Sequence, residues 1–151
     1  MEDLILSIME RAGQQMPELI TIDEDYGQLM YDGNTDNYPV VFPCALFGNI
    51  ELTWTTSGSI QQGKGTFLVR LAMDCYHDTQ LGSGTEDWIR ERLQMNGRLC
   101  RILHNYHHSR DISPLERIKS VDYTLQGPGN IKVYETTYAF EICDRSITTP
   151  L

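Results

Sequence analysis

The sequence predicts an α+β domain: a single antiparallel sheet, mixed at most, that two helices cover on one face. From Gly65 to Asp78, apolar residues alternate with polar or mixed ones, which is the period of a β-strand with one apolar face. A long strand of this kind fits the middle of an antiparallel sheet. Before and after it, apolar residues recur every three or four positions, as in amphipathic helices that pack on such a face.

Length, composition and charge limit the possible classes of protein. The chain has 151 residues, of which 40% are hydrophobic and 22% charged. This balance predicts one folded domain, residues 1–145, followed by a flexible tail, residues 146–151. The formal net charge of −9 argues against specific nucleic-acid binding, because phosphates would be repelled. It is compatible with a surface past which nucleic acid slides without binding.

Neither a secretory signal nor a membrane span is predicted. Met1 is followed at once by two acidic residues, which is atypical of a signal peptide. The longest apolar run, Val40–Phe47, is broken by Pro43 and is far shorter than the about 20 residues that a membrane span needs. The cysteines are widely spaced, so we interpret them as reduced and buried. We therefore expect a soluble intracellular product.

The amino-terminal part is expected to contain a helix, a short strand and an acidic loop. The helix runs from Met1 to about Met16, and a strand over Leu19–Ile22 follows. Asp23–Tyr38 is expected to be mostly loop, with one short strand at Gln28–Tyr31. Its carboxylates lack the spacing of a calcium loop, so we interpret them as a solvated acidic surface. They are Asp23, Glu24, Asp25, Asp32 and Asp36.

The stretch before the central strand is expected to form its partner strands and a hairpin. Pro39–Phe47 and Ile50–Thr55 are either two strands or one long strand with a bend. Thr56–Gly65 is rich in glycine, serine and other polar residues, which predicts a long, mobile hairpin tip. Ile60 lies at this tip, where an apolar residue is expected only if something covers it.

The carboxyl-terminal half is expected to contain a long helix and a final hairpin. The helix begins at an N-cap, Ser83 or Thr85, and ends at about Tyr106. Two strands, Ile118–Leu125 and Ile131–Asp144, follow with a glycine-rich turn between them. The predicted apolar face of the helix consists of Trp88, Ile89, Leu93, Met95, Leu99, Cys100, Ile102, Leu103 and Tyr106.

Candidate metal-binding and catalytic residues are few. The long helix ends in His104, His107 and His108. We interpret these histidines as favourable groups at a helix carboxyl end, because no second ligand pair accompanies Cys100 and His104 at zinc-site spacing. Cys75 and His77 would share a strand face about 7 Å apart, too far for a hydrogen bond between nucleophile and base. No metal ion, cofactor or catalytic residue is predicted.

In order and length, these elements resemble the tail-terminator and tail-completion proteins of long-tailed bacteriophages, a family that includes head–tail joining relatives. The resemblance includes the opening helix from Glu2 and the strand "YPVVFP" at Tyr38–Pro43. It continues through "TFLVRLAMDCY" after the glycine-rich loop, the helix from Glu86, and "VYETTYAFEI" in the last hairpin. It spans nearly the whole chain as a pattern of elements.

The resemblance implies a virion structural protein of a phage or prophage, with no catalysis and no cofactor. It implies a ring, usually hexameric, at the head-proximal end of the tail tube. The partners would be further copies of the chain, the tail-tube protein and the head-completion protein. The protein would occupy the bacterial host cytoplasm during assembly and the virion tail afterwards.

In such a ring, the glycine-rich hairpin would become ordered against a neighbouring subunit or the tube. We therefore predict that it contributes an assembly interface. The predicted interface residues are Ser57, Gly58, Ser59, Ile60, Gln61, Gln62, Gly63 and Lys64.

Two other classes of protein fit the same sequence. One is a small intracellular α+β enzyme or ligand-binding domain, with a site near Cys75, His77 and the helix-end histidines. The other is a monomeric adaptor domain. Assembly state separates these classes, because the virion subunit needs a ring and an enzyme needs a concave polar pocket.

Overall fold

The computed structural model of this protein describes residues 2–30, 39–75, 81–82, 86–127 and 129–145. In chain order the elements are α1 (Glu2–Gln15), β1 (Thr21–Glu24), β2 (Cys44–Ser57), β3 (Ile60–Asp74), α2 (Asp87–Leu103), β4 (Glu116–Gln126) and β5 (Asn130–Asp144). The strands form one five-stranded sheet in the order β1-β2-β3-β5-β4. β1 is parallel to β2, and the other neighbouring pairs are antiparallel. The α+β class is confirmed, and the sheet is mixed.

β3 is the central strand of the sheet. It pairs with β2 on one side and with β5 on the other. Its alternate residues Phe67, Val69 and Leu71 are buried, as their spacing predicts. They share one apolar cluster with residues of both helices: Leu4, Ile8, Ala12, Met95, Leu99, Ile102 and Leu103. Side chains from both helices and this face of the sheet therefore build the main core.

The opposite face of the sheet carries a second buried cluster. Its members are Leu29, Cys44, Leu46, Ala72, Ile131 and Val133. Val40 and Phe42, from the segment before β2, pack against it. The cluster includes the part of β2 that pairs with β1. The expectation that only one face would be covered is therefore incomplete at this end of the sheet.

The structure selects the single bent strand for the region before the hairpin, but only from Cys44 onward, because residues 39–43, which were predicted to be strand, form none. β2 is a single strand with a bulge between Gly48 and Glu51. Asn49, inside this bulge, has φ 53°, a left-handed conformation that asparagine adopts more readily than most residues. The short strand expected at Gln28–Tyr31 is absent from its described part, and β1 lies slightly later than expected.

Several expectations fall on residues that the structure does not describe. They concern the caps Ser83 and Thr85, the strand end at Tyr76–Asp78, and the tail at residues 146–151. In the described part, α2 begins after Glu86, whose side chain makes no capping hydrogen bond. None of the described helices is long and apolar enough to cross a membrane.

Leu71→Ala should lower the free energy of unfolding by roughly 2–5 kcal/mol, because truncating a fully buried side chain leaves a cavity in the main core. Chemical denaturation followed by circular dichroism measures this change. Leu6→Ala is the matched control: Leu6 is 58% exposed, so the expected change is below about 0.5 kcal/mol. Equal effects of the two substitutions would contradict the assignment of this face of β3 to the core.

Candidate assembly interface

The segment predicted to be a long loop, Thr56–Gly65, is a regular β-hairpin. β2 and β3 stay paired up to Ser57 and Ile60, so the turn consists of Gly58 and Ser59 alone. Gly58 has φ 61°, the positive value that a type II′ turn needs at its first central position. The long-loop prediction is wrong because the polar composition reflects the exposure of the hairpin and not a lack of backbone pairing.

The predicted interface residues differ in their exposure. Those that are exposed are Ser57, Gly58, Ser59, Gln62 and Lys64. Ile60 and Gln61 are partly buried, and Gly63 is buried. The isoleucine expected at an exposed tip therefore belongs to the ladder, opposite Ser57.

Two glycines of β3 allow side chains from the flanking strands to approach closely over it. A Cβ atom on Gly65 would lie 2.6 Å from Leu52 Cδ2 and 2.7 Å from Phe140 Cζ. A Cβ atom on Gly63 would lie 2.9 Å from Trp54 Cζ3. The Gly-Lys-Gly sequence is therefore explained by close packing within the sheet.

The outer edge of β2 is free over its second half. β1 pairs with β2 only as far as Glu24, opposite Phe47. From Glu51 to Ser57, β3 is the only strand that pairs with β2 in the described part of the chain. Most side chains of this segment are exposed, and the exposed fraction of Trp54 is 40%. The other edge of the sheet is β4, for which β5 is the only described partner.

A second exposed apolar surface lies on α2. Ile89 and Leu93, which the sequence places in the apolar face, are 37% and 54% exposed. Together with Leu81, which is 97% exposed, they line an open groove beside Gly97 and Arg101. The buried face of α2 is therefore narrower than predicted.

An ion-pair network crosses the sheet on the face that carries the second apolar cluster. Arg70 of β3 pairs with Asp25 and with Glu135 of β5, the latter at 3.0 Å from Nε to Oε2. Tyr123 of β4 donates a hydrogen bond of 3.0 Å to the same Glu135 oxygen. Gly48 of β2 leaves room for Asp25, since a Cβ atom on this glycine would lie 3.0 Å from Asp25 Cβ. The network thus extends from the end of β1 to β4.

Burial and the contacts of this network shift the pKa values of Arg70 and Tyr123. Burial acts to lower the pKa of Arg70. The hydrogen bonds to Asp25 and Tyr123, with the charges of Asp25 and Glu135, outweigh burial and raise that pKa. For Tyr123, by contrast, burial acts to raise the pKa and is the main cause of its upward shift. A charged guanidinium and a protonated phenol suit a structural link between strands, and neither titrates near neutral pH.

The expected acidic surface is divided among different environments. Asp25 is not solvated, because its side chain is 9% exposed and paired with Arg70. Asp23 accepts hydrogen bonds from the Glu24 backbone N–H at 2.8 Å and from Gln28 Nε2 at 3.5 Å. Glu24 is exposed. Asp32 and Asp36 lie outside the described residues.

The alternative enzyme site is not assembled by the residues that the structure describes. The Cys75 backbone N–H donates to the Asn130 carbonyl at 3.0 Å, at the beginning of β5. His104 Nδ1 accepts from the Arg117 backbone N–H at 3.2 Å, and Arg117 is paired with Tyr138 of β5. These two points of β5 are roughly 25 Å apart at about 3.3 Å per residue. His77 lies outside the described residues.

The remaining cysteine and histidine groups do not form a metal centre in the described ranges. No group of three or more His, Cys, Asp or Glu side chains there could hold a metal ion. Cys100 is buried, with Sγ 3.9 Å from Thr136 Oγ1, whereas His104 is exposed. Burial raises the pKa of the Cys44 thiol to about 12, so this thiol stays protonated and unreactive at neutral pH.

Arg70→Met should lower the free energy of unfolding by about 1–3 kcal/mol, because it leaves Asp25 and Glu135 without their cationic partner. Lys64→Met is the matched control, since the Lys64–Glu141 pair is 4.0 Å apart and exposed. Its removal should have almost no effect. Urea denaturation of both variants measures the difference. A smaller effect for Arg70→Met than for Lys64→Met would show that the network does not stabilise the sheet.

Purified protein should contain no stoichiometric zinc, and a chelator should leave its melting temperature unchanged, because His104 bonds to backbone and Cys100 is buried away from solvent. Elemental analysis and a thermal melt with and without EDTA measure these properties. One zinc per chain that is lost in Cys100→Ser or His104→Ala would contradict the prediction.

The fold has a counterpart among solved structures. No protein-family model and no curated protein sequence matches the chain. The fold is similar to that of a chain in a structure titled "Virion of native gene transfer agent (GTA) particle", with a TM-score of 0.54. The match covers 91% of this chain and 84% of that chain, at 8% sequence identity. At this identity the likeness shows a fold shared with a chain of that virion particle.

Proposed function

We propose that this chain is a virion structural protein of a phage or prophage, serving as a tail-terminator or tail-completion subunit. Copies of the chain form a ring at the head-proximal end of the tail tube. The ring contacts the tail-tube protein on one side and the head-completion protein on the other. The observation that carries the proposal is the fold shared with a chain of a gene transfer agent virion over 91% of this chain.

The two sheet edges support an assembling subunit. Each subunit of a ring must offer two different surfaces, one to each neighbour. The free part of β2 and the strand β4 lie at opposite edges of the sheet. Both carry exposed apolar side chains: Trp54 on the first, and Ile118 and Val121 on the second, at 53% and 42% exposure. Unpaired strand edges with such side chains are typical of surfaces that association covers.

The negative net charge of the chain supports a location in the virion through which DNA passes. A ring between head and tail lets DNA through and must not retain it. With a net charge of −9, the chain as a whole repels phosphates. The enzymatic alternative has weaker support, because Cys75 lies beside the beginning of β5 and His104 beside its middle, roughly 25 Å away at about 3.3 Å per residue.

Light scattering of the purified protein should give a mass several times the 17.3 kDa of one chain, because the ring is closed by contacts between identical subunits. Negative-stain images of the same fractions should show rings with a central channel. In particles that carry a tagged copy of the chain, gold label should bind at the junction of head and tail. A protein that stays monomeric up to its solubility limit, or label confined to the distal tail tip, would contradict the proposal.

A further inference from the structure

We propose that copies of this chain associate by strand addition: the free edge of β2, Glu51–Ser57, pairs antiparallel with the edge of β4, Lys119–Gln126, in the next copy. The inference rests on the proposed ring and names the contact that closes it. The partner is a second copy of the same chain, and the sheets of successive copies become continuous.

The free edge of β2 has the composition of a strand that another strand can join. Its backbone N–H and C=O groups on the outer side have no described strand partner. The sequence from Glu51 to Ser57 contains no proline and no lysine, the residues that commonly protect an exposed edge. It contains threonines and one tryptophan, which favour extended backbone. A strand from another copy cannot be added to the earlier part of this edge, because β1 already pairs with β2 up to Phe47.

The edge of β4 matches this segment in length and regularity. The ladder between β4 and β5 is irregular between Arg117 and Lys119 and regular from Lys119 to Gln126. This regular part is similar in length to Glu51–Ser57 and also lacks proline. Val121, near its middle, is 42% exposed. A neighbouring strand would cover that apolar side chain.

The directions of the strands fit an antiparallel junction. β2 is antiparallel to β3, β3 to β5, and β5 to β4. β2 and β4 of one subunit therefore run in opposite directions. A rotation about an axis along the strands preserves these directions, so β4 of the next copy is antiparallel to β2 of the first. A contact between two different edges is head-to-tail, which is the kind that closes a ring.

The two faces of the sheet also stay matched across this junction. Glu51 lies on the face of Arg70, because the registered pairs Glu51–Thr66 and Thr66–Ala139 share that face. Thr53 and Thr55 follow Glu51 at alternate positions. Val121 lies on the same face, since it pairs with Glu135, which pairs with Arg70. The junction then sets threonines of β2 beside Val121 and its neighbours, and no run of like charges opposes it.

Site-specific crosslinking tests this contact. Thr55→Cys is made in one protein and Val121→Cys in another that carries a size tag, and the two are mixed, allowed to assemble and treated with a short bismaleimide. We expect a crosslinked dimer of one tagged and one untagged chain, well above the background of the parent protein with its native cysteines. Each variant alone should give only that background, because the contact joins two different edges.

The other outcomes separate this inference from the proposed function. Crosslinking within Thr55→Cys protein alone, or within Val121→Cys protein alone, would overturn the inference in favour of a symmetric contact. Rings without any crosslink would overturn the inference while leaving the ring proposal intact; the exposed groove of α2 would then be the next surface to test. A protein that never associates would overturn both.

A blocking variant provides an independent measurement. Thr53→Lys with Thr55→Lys adds positive charge to two exposed positions of the β2 edge. We expect an unchanged melting temperature and a shift of the light-scattering mass to the monomer. The control, Gln14→Lys with Gln15→Lys, adds the same charge to exposed positions of α1 and should still assemble. Normal assembly of the blocked edge would overturn the inference.

Discussion

Backbone pairing along β3 is the constraint on which the other contacts in this domain depend. β3 is held between β2 and β5 over nearly its whole length, so its register fixes which side chains face the helices. A slip by one residue would turn Leu71 away from the main core and direct Arg70 into it. The same register brings Arg70 opposite Glu135, where the ion-pair network forms. Apolar burial on one face and ion pairing on the other therefore favour the same alignment.

The bulge in β2 allows apolar side chains from both halves of this strand to face the main core. Before the bulge, the odd-numbered Phe47 faces the main core. After it, the even-numbered Leu52 takes that face, opposite Gly65. Without the extra residue, Glu51 would point at the helices and Leu52 away from them. Gly48, at the start of the bulge, also leaves space for Asp25 to reach Arg70.

Sequence reasoning recovered the features that depend on local periodicity. The buried face of β3, both helices and the final hairpin follow from apolar spacing of two or of three to four. It missed the hairpin ladder at Gln61–Gly65, because exposed strands and loops have similar composition. It also missed the pairing of Asp25 with Arg70, since the two residues are far apart in sequence and neither belongs to a recognisable motif. The exposure of Leu93 depends on how α2 is rotated against the sheet, which spacing alone does not determine.

The location of the candidate interface also depends on information that a local sequence pattern does not contain. The sequence pointed to Ser57–Lys64 because this stretch looked irregular, but the structure pairs Gln61–Lys64 with strands on both sides. The edge that has a strand partner on one side only, among the described residues, is the neighbouring part of β2, Glu51–Ser57. A free edge is a property of sheet order, and sheet order depends on long-range pairing that a local pattern does not contain. β1 stops opposite Phe47, and β4 becomes regular only from Lys119. These limits confine strand addition to one stretch on each edge. Because each stretch is short and the two lie at opposite edges of the sheet, their pairing favours a defined head-to-tail contact over indiscriminate aggregation.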